Sequence, residues 1–332
     1  MCHICVFIYV HLSNRPVFLD CRFLALDWHG PGTASLARLS FKLYQDLAQE
    51  FNGEETFGYG RLRSFSLTKT ASVNVPHDPI IHAFRPHLKG TQQHAPADTE
   101  WLQDSTVDSL ERISDESTTA QVIPGPFTQK MFEEAKSAHV KYVKGCPLSW
   151  NQEEKWLDVS TADGNIRIPC NNILITAGPW SARVSKQLLG VEIPISYLPG
   201  HSIIIRPSSP LPHHAVFARI YGDNLTLTPE LWCRQNGLVY VAGENSGAPL
   251  PEGTDSVELD PASIQKLVNA SREISSSLAE GTIEAQQVGL FTREIICSGI
   301  QMSNSCVIDP LRNMAHHWLA FLRMVQEIRK PF

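Results

Sequence analysis

The sequence predicts a mixed α/β protein that combines a parallel-type strand, an antiparallel sheet and amphipathic helices. The near-continuous apolar run Asn172–Thr176 is typical of a strand buried on both faces in a parallel sheet. The Asn236-Gly237 pair between two apolar runs indicates an antiparallel hairpin. Leucines at three- and four-residue spacing in residues 33–51 predict a helix.

The first helix is predicted over residues 33–51, with Thr33 or Ser35 as its cap and Gly53 near its end. It follows a short apolar segment that ends at Asp27-Trp28-His29-Gly30, which indicates a turn beside a pocket. Residues 69–120 are dominated by Pro, His, Asp, Ser and Thr, and they predict a loop-rich insertion with a short helix near 104–113.

Patterns that predict regular secondary structure resume at Val122. Thr128 is a candidate cap for a helix that runs to His139, and residues 140–143 are predicted as a strand. Two further strands flank the turn pair Asp163-Gly164 and predict a hairpin, which the Asn172–Thr176 strand follows.

The segment 193–290 is predicted to form an antiparallel sheet. Its strands include residues 201–206 and the pair 225–231 and 238–242 around the Asn236-Gly237 turn. Asp260-Pro261 provides an N-cap and a first-turn proline for a helix that ends near Leu278. An amphipathic helix is predicted after Pro310, packing on the domain, with a membrane-surface or partner helix as the alternative.

Composition excludes several classes of function. The chain has 332 residues and a net charge of −6, and it carries none of the basic stripes that are typical of nucleic-acid-binding proteins. Its eight cysteines are spread along the chain, which favours a reducing compartment over a disulfide framework. No run is long enough to span a bilayer. The apolar stretch 4–12 is a weak candidate for a signal segment, and the alternative is a short buried strand or an unusual start to the chain. Cysteine usage and the lack of a clear targeting signal predict a cytoplasmic location.

The sequence gives little support for a metal site or for a catalytic nucleophile. The histidines of the insertion are too loosely spaced for a zinc site, and the Cys2–Cys5 pair has no second pair to complete one. No metal is therefore predicted. The sequence also lacks a Gly-x-Ser-x-Gly nucleophile elbow, which argues against a hydrolase of that type.

The segment Ala177-Gly178-Pro179-Trp180 follows the apolar strand directly. Glycine has no Cβ, so the backbone at Gly178 can lie against a bulky ligand at the carboxyl end of a strand, although a plain tight turn is the alternative. Residues 173–180 resemble the second FAD-contacting strand of the glycine-oxidase and D-amino-acid-oxidase family, which ends Ala-Ala-Gly-(Ala/Pro)-Trp. Residues 23–47, 121–128, 197–207 and 239–244 resemble further family segments in the same order, closest to the fungal-type branch.

The resemblance implies an incomplete Rossmann-like FAD-binding domain (residues 1–68 and 121–192, around the insertion 69–120), an antiparallel substrate domain (193–290) and a divergent C-terminal helix (291–332). It implies FAD as the cofactor and assigns residues by position. The residues implied for the cofactor are Ala177, Gly178 and Trp180 facing it, Val143 and Leu148 on its adenine side, and Leu24, Ala25 and Leu26 on its flavin side. Those implied for the substrate side are Trp28, His201, Tyr240 and Glu244. No catalytic residue is implied.

The sequence also departs from the family pattern. It contains no Gly-x-Gly-x-x-Gly turn, and residues 1–21 are too short for the strand-turn-helix unit that places a pyrophosphate on a helix N-terminus. Both ends thus look truncated. We expect FAD binding to be weak or absent, and the strand 172–176 to lack its central neighbour, which would leave an exposed sheet edge.

The implied function is an FAD-dependent oxidoreductase that removes hydride from an amine or amino acid, with a small molecule as its partner. The alternatives are a non-catalytic binding or trafficking protein with the flavoprotein fold, and a fragment of a longer gene product. The resemblance adds endosomal association and mitochondria as alternative locations. The sequence makes no prediction about protein partners.

Overall fold

The computed structural model describes residues 4–8 (backbone only), 23–70, 97–102, 107–138, 140–221, 226–253 and 257–294. The helices are α1 (Ala34–Glu50), α2 (Gly53–Phe57), α3 (Pro124–Ser137), α4 (Ser181–Leu189), α5 (Pro261–Ile274) and α6 (Ser276–Ala279). The strands are β1 (Ile4–Ile8), β2 (Phe23–Ala25), β3 (Gly60–Arg61), β4 (Arg63–Thr70), β5 (Val107–Ser114), β6 (Thr119–Gln121), β7 (Cys146–Asn151), β8 (Trp156–Thr161), β9 (Gly164–Pro169), β10 (Asn172–Thr176), β11 (Ile195–Arg206), β12 (His214–Tyr221), β13 (Thr226–Leu227), β14 (Glu230–Cys233), β15 (Val239–Asn245) and β16 (Thr282–Glu294). The 3₁₀ helices are Ala97–Leu102 and Gly178–Trp180.

The largest sheet has eight strands in the order β16-β11-β15-β14-β12-β4-β5, with β13 paired to β12 beside this path. All its pairs are antiparallel except β12 with β4, which is parallel, so the sheet is mixed. One face packs against α5, where Ile203, Leu231 and Val241 meet Ile264 and Leu267 in a closed apolar core. We call this face the helix face.

Helix α1 begins where its sequence predicts. Its spacing turns Phe41, Tyr44 and Leu47 toward α3 and β2, which together form a second apolar core. The capping prediction is not met, because Thr33 makes no side-chain hydrogen bond to the helix and its hydroxyl instead donates to the Gly30 carbonyl. Helix α3 begins at Pro124, so Thr128 lies inside the helix and does not cap it.

Strands β7, β8 and β9 form a three-stranded meander, and the predicted hairpin around Asp163-Gly164 is confirmed by β8 and β9. Beside it, β1 runs parallel to β10, from Ile4 opposite Asn172 to Ile8 opposite Thr176. The expectation that β10 lacks this neighbour is therefore wrong, because residues 4–8 supply it. β10 is exposed or half-buried along its length, so the prediction of burial on both faces is also wrong.

Two local predictions fail because strand pairing decides the outcome. The helix predicted near 104–113 is strand β5, which pairs with β4 at the edge of the large sheet. Helix propensity is a weak prior that tertiary pairing overrides. Residues 140–143 are not assigned to a strand, because among the described residues none pairs with them.

The hairpin at Asn236-Gly237 is confirmed by β14 and β15, and helix α5 is confirmed with Asp260 as its N-cap. The Asp260 carboxylate accepts hydrogen bonds from the backbone N–H groups of Ala262 and Ser263, and α5 ends at Ile274, before the predicted Leu278. The helix predicted after Pro310 and the histidines at 77, 82, 87 and 94 lie outside the described residues. Within the described part of the chain, no helix is both long and apolar enough to cross a membrane.

Candidate functional site

The turn at Gly178 joins β10 to α4 through a single 3₁₀ turn. Gly178 has φ +53°, in the left-handed region that favours glycine, and the nearest atom to an added Cβ would be Thr292 Oγ1 at 3.8 Å. The neighbouring residues leave no such space, because Ala177 and Trp180 are buried. The Trp180 indole N–H donates to the Pro251 carbonyl at 3.0 Å. Of the three predicted cofactor residues here, Gly178 is the one that leaves space for a close approach.

The predicted flavin-side segment lies in β2 and just after it. Leu24 is buried against α1, whereas Ala25 and Leu26 are half-buried, and the Leu26 N–H donates to the Thr118 carbonyl at 2.9 Å. Because side chains alternate along a strand, Phe23 points away from Leu24 and packs against the other face of the large sheet.

That other face carries a chain of aromatic side chains, which we call the aromatic wall. Trp28 packs on Phe23 and Phe217 with ring centroids at 4.7 and 5.4 Å. Phe217 and Trp232 are 6.2 Å apart, and Trp232 and Tyr240 are 5.5 Å apart. The wall thus joins Trp28 and Tyr240, two of the predicted substrate-side residues, through Phe217 and Trp232. We call the sheet surface that carries it the aromatic face.

The other two predicted substrate-side residues lie on the helix face. His201 is buried, and its Nε2 accepts the backbone N–H of Asp260 at 2.9 Å. Burial lowers the pKa of His201. This effect outweighs the nearby Asp260 and Glu244 charges, which raise the pKa. The Glu244 carboxylate pairs with Lys266 of α5 at 3.2 Å. Side chains alternate along β11, so His201 faces away from Ser202, and the register shift at this point pairs His201 with Glu244 past Gly243. His201 and Glu244 therefore share the helix face, and the structure does not bring the four substrate-side residues together.

Polar residues on the aromatic face were missed by sequence reasoning. The strand register places Phe217, Glu230, Ala242, Ser202 and Gln287 in one cross-strand row. Burial raises the pKa of the Glu230 carboxyl. The hydroxyl of buried Ser202 and the side-chain oxygen of Gln287 have no hydrogen-bond partner. Period-two alternation could have found this row once the pairing of the strands was known, but no single-strand pattern reveals it.

Val143 and Leu148, the predicted adenine-side residues, are both exposed. Leu148 lies on β7, and its carbonyl accepts a hydrogen bond from the Gln187 side chain at 3.3 Å. Val143 lies ahead of β7 in a segment that has no assigned secondary structure. The structure does not bury or link these two side chains.

A separate polar crevice of about 470 Å³ lies beside α1 and α2, lined by Gln45, Asn52, Tyr59, Arg61 and Gln235 among others. The Arg61 guanidinium donates to Gln45 at 3.0 Å and lies over the Phe41 ring. None of the predicted site residues lines this crevice. In the described ranges, no group of three or more His, Cys, Asp or Glu side chains could hold a metal ion.

The decisive comparison is with a protein family. The profile of the family described as "FAD dependent oxidoreductase" (DAO) matches residues 21–321. This chain belongs to the DAO family. The family and the mixed α/β fold expected from the resemblance are thereby confirmed.

Two fungal relatives match a large part of the chain. The Schizosaccharomyces pombe protein C1F5.03c, whose name calls it an oxidoreductase, is 28% identical over 285 residues, covering 80% of this chain and 68% of that protein. Saccharomyces cerevisiae TDA3, also named an oxidoreductase, is 26% identical over 60% of this chain and 44% of its own length. This chain therefore spans less than half of TDA3.

Solved structures show the same fold. Glycine oxidase from Geobacillus kaustophilus superposes with a TM-score of 0.70 at 14% identity, covering 99% of this chain and 89% of that one. Iminodiacetate oxidase from Chelativorans sp. BNC1 superposes with a TM-score of 0.60 at 18% identity, covering 86% and 76%. At these identities the likeness establishes the fold.

The DAO family implies FAD, and the described residues fit it in part. The fit is good at Gly178, where φ is positive. There is open space beside its backbone, because the nearest atom to an added Cβ would be Thr292 Oγ1 at 3.8 Å. The parallel pair of β1 and β10 ends at this turn, which is the usual place for a dinucleotide in an open α/β sheet. A pyrophosphate cradle of the Gly-x-Gly-x-x-Gly type is not present in the sequence.

Proposed function

We propose that this chain is an FAD-dependent oxidoreductase that oxidises an amine or amino acid. The observation that carries the proposal is the match of the DAO family profile to residues 21–321. The open Gly178 turn at the carboxyl end of β10 and the aromatic face of the large sheet support it. When bound, the flavin supplies the chemistry by accepting hydride from the carbon next to the substrate nitrogen.

The protein's own residues supply position. Gly178 lets the backbone approach the cofactor, because a side chain there would occupy the open space beside Thr292. We assign the exposed end of the aromatic wall, at Trp28, to the edge of a substrate compartment, with the buried Tyr240 ring behind it. Aromatic side chains exclude water, and this strengthens electrostatic contacts to a bound ligand. The remaining cofactor assignments, Ala177, Trp180, Val143, Leu148, Leu24, Ala25 and Leu26, stay part of the proposal. His201 and Glu244, which contact α5, are left out of it.

The test is a pair of glycine substitutions at the two ends of α4. Gly178→Ala and Gly190→Ala both place alanine at a positive φ, +53° and +68°, and neither Cβ meets an atom closer than 3.8 Å. Each should cost about 1–2 kcal/mol of unfolding free energy, because L-residues disfavour this backbone region. FAD titration, followed by flavin fluorescence, should show weak saturable binding that only Gly178→Ala weakens further.

Equal FAD affinity in the two variants would contradict the role of Gly178. A complete absence of saturable FAD binding by the wild-type chain would contradict the proposed function itself. Turnover is measured separately, as hydrogen peroxide or reduced-dye formation with a panel of primary and secondary amines and amino acids.

A second candidate is a binding protein that retains the flavoprotein fold without catalysis. It is favoured by the lack of a Gly-x-Gly-x-x-Gly turn in a chain that otherwise keeps the family's order of segments. Stoichiometric FAD binding with turnover of any amine would exclude it. We place the protein in the cytoplasm, with endosomal association and mitochondria as the alternatives that imaging of a tagged full chain would separate.

A further inference from the structure

We propose that Glu230 and the aromatic wall bind an ammonium group of the ligand. Glu230 begins β14, directly opposite Phe217 of β12 and two residues before Trp232 on the same face. The carboxyl group is therefore flanked by Phe217 across the strands and by Trp232 along its own strand. Trp28 packs on Phe217 and is 38% exposed, so the aromatic group borders solvent on this side.

The Glu230 carboxyl group does not pair with another described part of the protein. Within the described ranges Glu230 makes no ion pair or side-chain hydrogen bond, and burial alone accounts for its raised pKa. Arg219 shares the aromatic face, two residues from Phe217, but its guanidinium donates to the Tyr221 hydroxyl at 3.4 Å. Glu230 is half-buried, so its carboxyl group is partly withdrawn from water without a protein cation, and a bound cation would offset the cost of that partial burial.

The surrounding chemistry favours an ammonium ion. Aromatic faces attract cations through their quadrupoles, and quaternary or protonated amines are the ligands for which such rings are typically used. A single carboxylate among the rings adds the opposite charge. Together they complement a cation with an apolar surface better than they complement a metal ion, which requires several oxygen ligands.

The same row carries polar groups for the rest of the ligand. Ala242 and Ser202 follow Glu230 across the sheet, and the row ends at Gln287; these three residues are buried. The Ser202 hydroxyl and the Gln287 side-chain oxygen are buried without hydrogen-bond partners. Buried polar atoms are usually satisfied, so these two are free to contact a polar ligand group.

This inference rests on the proposed function only in taking the ligand as the substrate, because binding to the sheet can be measured without FAD. The probes are choline, which carries a quaternary ammonium, and its neutral isostere 3,3-dimethylbutan-1-ol. Binding to the full chain is followed by tryptophan fluorescence, since Trp28 and Trp232 both lie in the wall.

We compare wild type with Glu230→Gln and with the matched control Glu244→Gln on the helix face. Wild type and Glu244→Gln should both bind choline at least about tenfold more tightly than they bind the isostere. A tenfold difference in affinity is roughly what one ion pair or cation–π contact contributes. Glu230→Gln should lose this preference. Trp28→Leu, a change at a partly exposed position, should weaken choline binding and leave the fold intact by circular dichroism.

Equal binding of the two probes to wild type would overturn the inference, as would a choline preference that persists in Glu230→Gln. Loss of the preference in Glu244→Gln instead would assign the cation to the helix face. FAD titration of the same samples separates the two proposals. Choline selectivity without FAD binding contradicts only the proposed function, and FAD binding with amine turnover but no selectivity contradicts only this inference.

Discussion

The two faces of the large sheet are built from alternate residues of the same strands, yet they differ in chemistry. The helix face is mostly apolar, and polar side chains on it contact α5: His201 through Asp260, Glu244 through Lys266 and Lys69 through the Glu273 carbonyl. The aromatic face carries rings and, among the described residues, a carboxyl group without an ion pair. Both faces hold buried polar atoms without hydrogen-bond partners, such as His201 Nδ1 and Ser202 Oγ, so the rings and the carboxyl group are what distinguish the aromatic face as a place for a ligand.

The largest expected effect compares neighbouring isoleucines on the two faces. Ile203 is fully buried against α5, so Ile203→Ala should cost about 2–5 kcal/mol through lost burial and a cavity. Ile204, the next residue, is only half-buried on the aromatic face, so Ile204→Ala should cost clearly less. Chemical denaturation of both variants measures the difference, and equal losses would contradict the distinction between the faces.

A smaller effect is expected at the cap of α5. Ser263 donates to the Asp260 carboxylate, and this hydrogen bond is the main reason that the pKa of Asp260 lies below its usual value. A depressed carboxyl pKa stabilises the folded state above the unfolded-state pKa, and the contribution disappears as the pH falls through the folded-state pKa. Asp260→Ala should therefore lower the melting temperature at neutral pH and match wild type more closely in acid.

The control for that prediction is Asp260→Asn, which retains a capping oxygen without the charge. It should recover most of the stability at neutral pH and show a flatter pH dependence than wild type. A gap between Asp260→Ala and wild type that is the same at all pH values would contradict the role of the charge.

The smallest effect is expected from the ion pair on the helix face. The Lys266 side chain is 44% exposed, and its Nζ lies 3.2 Å from Glu244 Oε2. Because solvent screens an exposed ion pair, Lys266→Ala should lower the unfolding free energy by no more than about 1 kcal/mol. The loss should shrink at high salt. A change in choline binding in this variant would indicate that the helix face takes part in ligand recognition.

Local sequence signals predicted much of the fold. The periodicity of α1, the N-cap of α5 and the hairpin turns at Gly164 and Gly237 are encoded within a few residues each. Strand β5 and the unpaired segment 140–143 were not predictable in this way, because a strand depends on a neighbour that is distant in sequence.

The candidate site shows the same limit. Gly178 could be singled out because a glycine after an apolar strand has a local physical meaning, and its positive φ agrees. His201 and Glu244 were selected by position, but a register shift that skips Gly243 pairs Glu244 with His201 on the helix face, and no local pattern reveals that shift. Glu230 became visible only when the register placed it opposite Phe217.

The central claim is that this member of the DAO family uses FAD to oxidise an amine. The most direct measurement titrates the purified full chain with FAD and then adds an amine without oxygen, following the visible absorbance of the flavin. We predict weak but saturable FAD binding and loss of the oxidised-flavin absorbance when the amine is added. No saturable binding, or bound flavin that no amine or amino acid reduces, would contradict the claim.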